Sequence, residues 1–196
     1  MVSEHIAWCQ DGAMFHNDLL PVPYTDEALH LLSDNIKEMQ DHLGRQVLVE
    51  NPSTYLAFKD TQYDEADFIM KVIQQTDCGL LLDLNNILVS CHNQGWDVMC
   101  YLEKIDFDAV GEIHVAGHSD RALPDGGTIK IDDHGSMVRN DAWQLLDEVI
   151  KKAGPKPVLL ERDNDVPSYQ VLIDECKIGQ QILDDNAQGY SEEKAS

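Results

Sequence analysis

The sequence predicts an α/β fold built as a (β/α)8 TIM barrel, and three observations carry that expectation. Short apolar runs rich in Val, Ile and Leu alternate with longer amphipathic stretches, the pattern of parallel βαβ units. No G-x-G-x-x-G follows the first run and no Walker-type glycine loop occurs, so nucleotide-binding open sheets have no support. Each apolar run also presents a carboxylate or an imidazole toward its C-terminal end, and in a parallel barrel those ends converge on one face.

The strand candidates are Val2–Trp8, Gln46–Glu50, Gly79–Asp83, Gly111–Ala116 and Pro157–Glu161. Each is a continuous apolar run rather than an alternating one, as expected of parallel strands covered on both faces. Thr25-Asp26-Glu27 opens a helix with Leu29, Leu32, Ile36, Met39 and Leu43 on its apolar face, and Gly44 closes it. A second helix carries Phe68, Ile69, Val72 and Ile73, and a short third begins near Asp97 with Val98, Tyr101 and Leu102. A fourth starts near Asn140, carries Trp143, Leu146, Val149 and Ile150, and stops at Gly154-Pro155. The last holds Val171, Leu172, Ile178 and Ile182. Together these make one barrel domain over residues 1–183, and the acidic stretch 184–196 reads as a disordered tail.

Composition narrows the function classes. The chain has 196 residues, 43% of them hydrophobic, which suits one folded domain with a real core. With 14 Lys and Arg against 36 Asp and Glu, the net charge of −22 repels phosphate and argues against a nucleic-acid partner. No apolar run approaches the roughly 20 residues of a membrane-spanning helix, and the start lacks the basic and apolar regions of a signal peptide. Cys9, Cys78, Cys91, Cys100 and Cys176 form no C-x-x-C pair and read as reduced thiols, hence a cytoplasmic protein.

The chemistry lies at the strand ends: His5, Glu50, Asp83, His114 and Glu161, with Asp132 and His134 in a glycine-containing loop between the last two strands. Burying a carboxylate without a partner costs several kcal/mol at least. Gathering Glu50, Asp83, Asp132 and Glu161 at one face also sets like charges against each other. Bound cations remove both penalties, and mixed imidazole and carboxylate donors suit Fe, Mn, Zn or Co better than Mg or Ca. His16, His30 and His42 read as surface residues, and His92 stands in a loop. His118 either orients a ligand or is a solvated loop residue.

These motifs resemble one known family. Ser3-Glu4-His5-Ile6-Ala7-Trp8, Glu50-Asn51-Pro52-Ser53, Asp83-Leu84-Asn85-Asn86, Gly111-Glu112-Ile113-His114-Val115-Ala116-Gly117-His118, Asp132-Asp133-His134-Gly135 and Glu161-Arg162-Asp163-Asn164-Asp165 look like its successive signatures. It is the "domain of unknown function 692" family, which includes the iron oxidase of methanobactin biosynthesis and relatives that modify cysteine in ribosomally made peptides. The resemblance runs from Val2 to about Leu172. It implies a xylose-isomerase-like TIM barrel holding two or three iron ions, with His5, Glu50, Asp83, His114, Asp132, His134 and Glu161 as ligands and Asn86 as a further one. It also implies dioxygen as co-substrate, a cysteine-containing precursor peptide as substrate, and a separate leader-binding partner protein.

Three departures accompany the likeness. Members of the family usually begin with three more βα units, the third supplying a further His, so this chain is expected to hold about the last five of eight. Such a part leaves two sheet edges unpaired. His92-Asn93-Gln94-Gly95 stands where relatives commonly have Asn-His-Gly, and Arg162 replaces a common aromatic residue. The leading expectation is a multinuclear non-heme iron oxidoreductase. The alternatives are an inactive fragment or binding scaffold of the same fold, and a metal-dependent sugar isomerase or hydrolase.

Overall fold

The computed structural model describes residues 1–193. In chain order its strands are β1 (Ser3–His5), β2 (Ala7–Asp11), β3 (Met14–Pro21), β4 (Leu48–Glu50), β5 (Gly79–Asp83), β6 (Val110–Val115), β7 (Ser119–Ala122), β8 (Thr128–Ile131) and β9 (Val158–Leu160). Its helices are α1 (Asp26–Leu43), α2 (Glu65–Thr76), α3 (Leu84–Gln94), α4 (Val98–Leu102), α5 (Asn140–Ala153) and α6 (Tyr169–Glu193).

Five strands form one sheet in the order β1-β4-β5-β6-β9, every pairing parallel and every neighbour the next strand of this sheet along the chain. A doubly wound sheet needs this order to reverse partway. Strictly sequential order with the usual right-handed crossovers lays successive helices on one face and curls the sheet, which is how a barrel is built. The helix layer follows suit, α1 packing on α2, α3 on α5, and α5 on α6.

The helices form where the sequence supplies caps. Thr25 accepts from the Ala28 N–H at the start of α1, and Gly44, with φ 63°, ends it. Leu29 and Ile36 on its inner face join a core that also takes Phe68, Ile69 and Val72 from α2 and Leu146, Val149 and Ile150 from α5. Inside the curl, Leu48 is packed so closely between Gly79 and Gly111 that a Cβ on either glycine would collide with it.

The central strands β4 and β5 are buried at every residue, as their continuous apolar runs predict. The two edges differ: Ser3, Glu4 and His5 of β1 are exposed, and β9 is only partly covered, because each pairs on one side alone. The run Val2–Trp8 is not one strand. It breaks after His5, and its second half pairs antiparallel with Met14–Pro21 in a hairpin turned at Gly12, whose φ is 56°. A second hairpin, β7–β8, follows β6. The sequence reading also lacked α3, which places His92 in the last turn of a helix rather than in a loop. Finally, α6 continues through Glu193, with Asn186 donating to Asp147 at 2.8 Å, so the expected disordered stretch from Asp184 is helical that far. Residues 194–196 lie outside the described residues.

Candidate metal centre at the strand ends

Register brings the candidate ligands together. His5 lies beside Glu50 across β1 and β4, and Asp83 beside His114 across β5 and β6. Asp83 is both the last residue of β5 and the N-cap of α3, its Oδ1 accepting from the Asn86 N–H at 2.7 Å. Asn51 clamps its backbone, accepting from the Asp83 N–H at 2.8 Å and donating to the Asp83 carbonyl at 2.9 Å. That clamp aims one carboxylate oxygen away from the helix and into the site.

Two groups of donors result. One ligand atom each from Glu50, Asp83 and His114 lie within 4.8 Å of one another, and the same holds for Asp83, His134 and Glu161. Asp83 belongs to both. His5 stands one contact further out, its Nε2 3.2 Å from Glu50 Oε2, and Asp132 likewise, its Oδ1 2.7 Å from His134 Nε2. Asn86 donates to the Asn51 carbonyl at 2.9 Å and weakly to Glu50, while its Oδ1 is buried. The structure therefore gathers six of the eight predicted positions around Asp83, Asn86 by its buried carbonyl, and leaves His5 and Asp132 at the periphery.

Unfinished polar chemistry concentrates here. Asp83 Oδ2, Asn86 Oδ1, His114 Nδ1 and His134 Nε2 are buried and lack a hydrogen-bond partner among the described residues. The nearest acids to the two imidazoles are Glu161, 3.3 Å from His114 Nδ1, and Asp132, 2.7 Å from His134 Nε2. Buried polar atoms are ordinarily paired. Imidazole nitrogens and carboxylate oxygens gathered within 4.8 Å of one another around Asp83 are donors that a borderline divalent metal ion takes. The donor set fits the metal that the resemblance implies.

The electrostatics agree. Burial, with the charges of Glu161 and Asp132 beside it, pushes the Glu50 carboxyl up to about 8. Burial, Asp132 and Glu50 likewise hold Asp83 well above the usual carboxylate range. Burial opposes charge on His134, yet Asp132, Asp83 and Glu161 around it raise its pKa to about 9. His114 rises against its burial because of Glu161, and Glu161 falls because of His114. Without a cation the cluster holds extra protons, and a cation displaces them.

A cleft of about 350 Å³ opens over the cluster, walled by His5, Glu50, Asp132, His134 and Glu161 on its polar side and by Leu19, Pro52 and Tyr55 on the other. Leu19 comes from the β2–β3 hairpin, so that unexpected element forms part of the rim. Tyr55 accepts from the Asp132 N–H at 2.9 Å, and Asp163 pairs with His134 Nδ1 at 3.1 Å. Neither Tyr55 nor Asp163 was marked by the sequence, although Asp163 lies two residues after Glu161. His118, evenly weighed from sequence, is only 3% exposed and bonds Asn85. His30, His42 and His92 are exposed, while His16 stacks edge-on against Trp8. Arg162 is inward, paired with the buried Glu175 at 3.0 Å.

Fold and cluster together define a TIM-barrel protein with a candidate metal centre at the C-terminal ends of its strands. The chain belongs to the family described as "RiPP precursor modification enzyme MbnB/TglH/ChrH", whose family model matches residues 1–184. It is 41% identical over 193 residues to the UPF0276 protein RB0508 of Rhizobium meliloti, covering 98% of this chain and 62% of that one. It is 44% identical over 172 residues to a UPF0276 protein of Paraburkholderia phytofirmans, covering 88% of this chain and 56% of that one. The chain thus spans about three-fifths of the length of the curated relatives it matches. Among solved structures, a xylose isomerase-like TIM barrel protein from Mycobacterium smegmatis in complex with magnesium superposes with a TM-score of 0.55 at 17% identity, over 86% of this chain and 55% of that one. The 3-keto-D-glucoside 4-epimerase YcjR of E. coli gives 0.54 at 16% identity, over 91% of this chain and 63% of that one. These two likenesses establish the xylose-isomerase-like barrel fold. No helix among the described residues is long and apolar enough to cross a membrane.

Proposed function

We propose that this chain carries the metal centre of a multinuclear iron oxygenase or oxidase that modifies cysteine in a ribosomally made precursor peptide. The observation that carries the reading is the pair of three-donor groups joined by Asp83, in a member of a peptide-modifying family. In this reading Glu50, Asp83 and His114 hold one ion and Asp83, His134 and Glu161 a second, with His5, Asn86 and Asp132 completing the set. Iron, when bound, supplies thiolate binding and redox chemistry, with dioxygen as the oxidant.

The chain's own residues do the rest. The Asn51 clamp and the α3 cap fix Asp83 so that one carboxylate can serve both groups. Glu50 and His134 hold protons before loading and release them on it. Leu19, Pro52 and Tyr55 give the cleft an apolar wall for a peptide, and the covered floor around Asp83 and His114 keeps water away. A separate protein that grips the peptide leader belongs to the same proposal, as does a reducing cytoplasm for five free thiols.

The test is metal content after anaerobic loading of the chain with Fe(II), followed by exposure to oxygen with a cysteine-containing peptide. Retention of two or more iron ions and a mass change at the peptide's cysteine support the reading. Iron not retained returns the chain to the scaffold alternative, and retained iron with peptide left intact points to isomerase or hydrolase chemistry.

A further inference from the structure

Behind Asp132 a chain of polar side chains runs from the β7–β8 hairpin to the metal cluster. Lys130 Nζ lies 2.7 Å from His118 Nε2, His118 Nδ1 lies 2.7 Å from Asn85 Oδ1, and Asn85 Nδ2 lies 2.6 Å from Asp132 Oδ1. An ammonium only donates, so His118 Nε2 accepts and the ring's proton sits on Nδ1. Nδ1 then donates to the Asn85 carbonyl, which leaves the Asn85 amide to donate to Asp132. Every hydrogen in the chain points the same way, toward the carboxylate. Burial, reinforced by the Lys130 and Arg139 cations, depresses the His118 pKa to about 4, so the ring stays neutral. The outer end is anchored: Asp120 accepts from Lys130 at 3.1 Å and from Arg139 at 2.8 Å, and Asn93 of α3 brackets the Lys130 backbone with bonds of 2.9 and 3.0 Å. Beside His118, Gly117 lets the Ser136 backbone approach so closely that a Cβ there would overlap it, and at the far end the Asp132 N–H donates to the Tyr55 hydroxyl at 2.9 Å.

We infer that His118 is a positioning residue of the metal centre, passing the Lys130 charge through Asn85 to hold Asp132 by Oδ1, the oxygen that lies against His134. The inference rests on the metal reading above and adds to it the residues that set one peripheral ligand. Such outer partners fix the orientation and basicity of a ligand, and losing one weakens metal affinity about 10- to 100-fold.

The experiment is anaerobic titration of the full chain with Co(II), followed by its visible absorption, for wild type, His118→Leu, His118→Gln and Lys130→Met. Melting of the metal-free forms is measured beside it. Glutamine can accept from Lys130 through Oε1 and donate to Asn85 through Nε2, so it preserves the direction of the chain. The expected result is affinity lowered about 10-fold or more in His118→Leu and Lys130→Met with shifted cobalt bands, and recovery in His118→Gln. A merely structural His118 moves the metal-free melting midpoint and leaves cobalt affinity and spectrum unchanged in folded variants, which overturns the inference. Equal loss in the leucine and glutamine variants overturns it too. If His118→Leu does not fold, Lys130→Met decides, since it trims only the outer end. Wild-type chain that takes up no cobalt sinks the metal reading and this inference together; wild type that binds it with every variant unaffected sinks only the inference.

Discussion

Two buried carboxylates in this protein meet opposite fates. Glu65, 1% exposed at the start of α2, has both oxygens satisfied, by the Tyr24 hydroxyl at 2.7 Å and the Tyr101 hydroxyl at 3.0 Å. Asp83 is just as deep, 0% exposed, and keeps one oxygen without a partner while Glu50 and Asp132 crowd it with like charge. Burial alone therefore does not mark a functional acid. The difference is completeness: the first network is closed with neutral donors, the second is open and wants a cation.

Metal loading should separate the two most sharply. At a thousandfold excess over its Kd, Fe(II) or Co(II) stabilises the chain by about 4 kcal/mol, read as a shift in denaturant midpoint. Asp83→Asn should abolish that gain, because it removes the shared donor. The metal-free variant should be no less stable than wild type, since asparagine still caps α3 and the like-charge crowding by Asp132 and Glu50 is relieved. Wild-type metal uptake in this variant breaks the comparison. Next in size, Glu65→Ala strands two tyrosine hydroxyls beside a new cavity and should cost about 3 kcal/mol while cobalt uptake stays unchanged.

The pH dependence is smaller and carries a sign. Glu50, at about 8 when folded, binds more protons native than unfolded between its ordinary value of 4.5 and 8, so stability falls as pH rises through that window. His134, at about 9, contributes stability that is full below its ordinary 6.5 and is lost as pH climbs through 9. Metal-free protein should therefore melt progressively lower from pH 5 to 9. The increment added by metal should grow over the same range, because protons compete for the same atoms. Glu50→Gln should flatten the metal-free slope; an unchanged slope assigns it elsewhere. Least of all, Lys104→Met removes exposed ion pairs with Asp64 and Asp67 near Glu65 and should change stability by under about 1 kcal/mol.

Much of this was legible in the sequence where local chemistry and burial agree. The central strands Leu48–Glu50 and Gly79–Asp83 announce themselves as unbroken apolar runs, and the Thr25 and Gly44 caps bound α1. The ligand positions follow from acids and imidazoles terminating those runs. Helix α3 was hidden because Asn85 and Asn86 fill its first turn and Asp83 serves two elements at once, though Gly95, with φ 71°, was a stop signal in plain view. The β2–β3 hairpin was hidden by an apolar run that continues past the break at Ile6; Asp11-Gly12 was its sign. Asn85, Lys130 and Tyr55 were beyond reach, since each acts through contacts set by tertiary packing rather than by spacing. The peripheral places of His5 and Asp132 were also not readable, because a motif names a residue and not the oxygen or nitrogen it aims.

The strictly sequential order of the sheet gives the site a direction in time. Each strand of the five-stranded sheet pairs with the next one of that sheet along the chain, so β4, β5, β6 and β9 can join in order as translation proceeds. Glu50, Asp83 and His114 all precede His134 and Glu161 along the chain. The first group of donors is thus complete while the β7–β8 hairpin, α5 and the last strand are still being made, and the second waits for Glu161. Asp83 takes its place before either group is whole, a hinge between an early half and a late half of one centre.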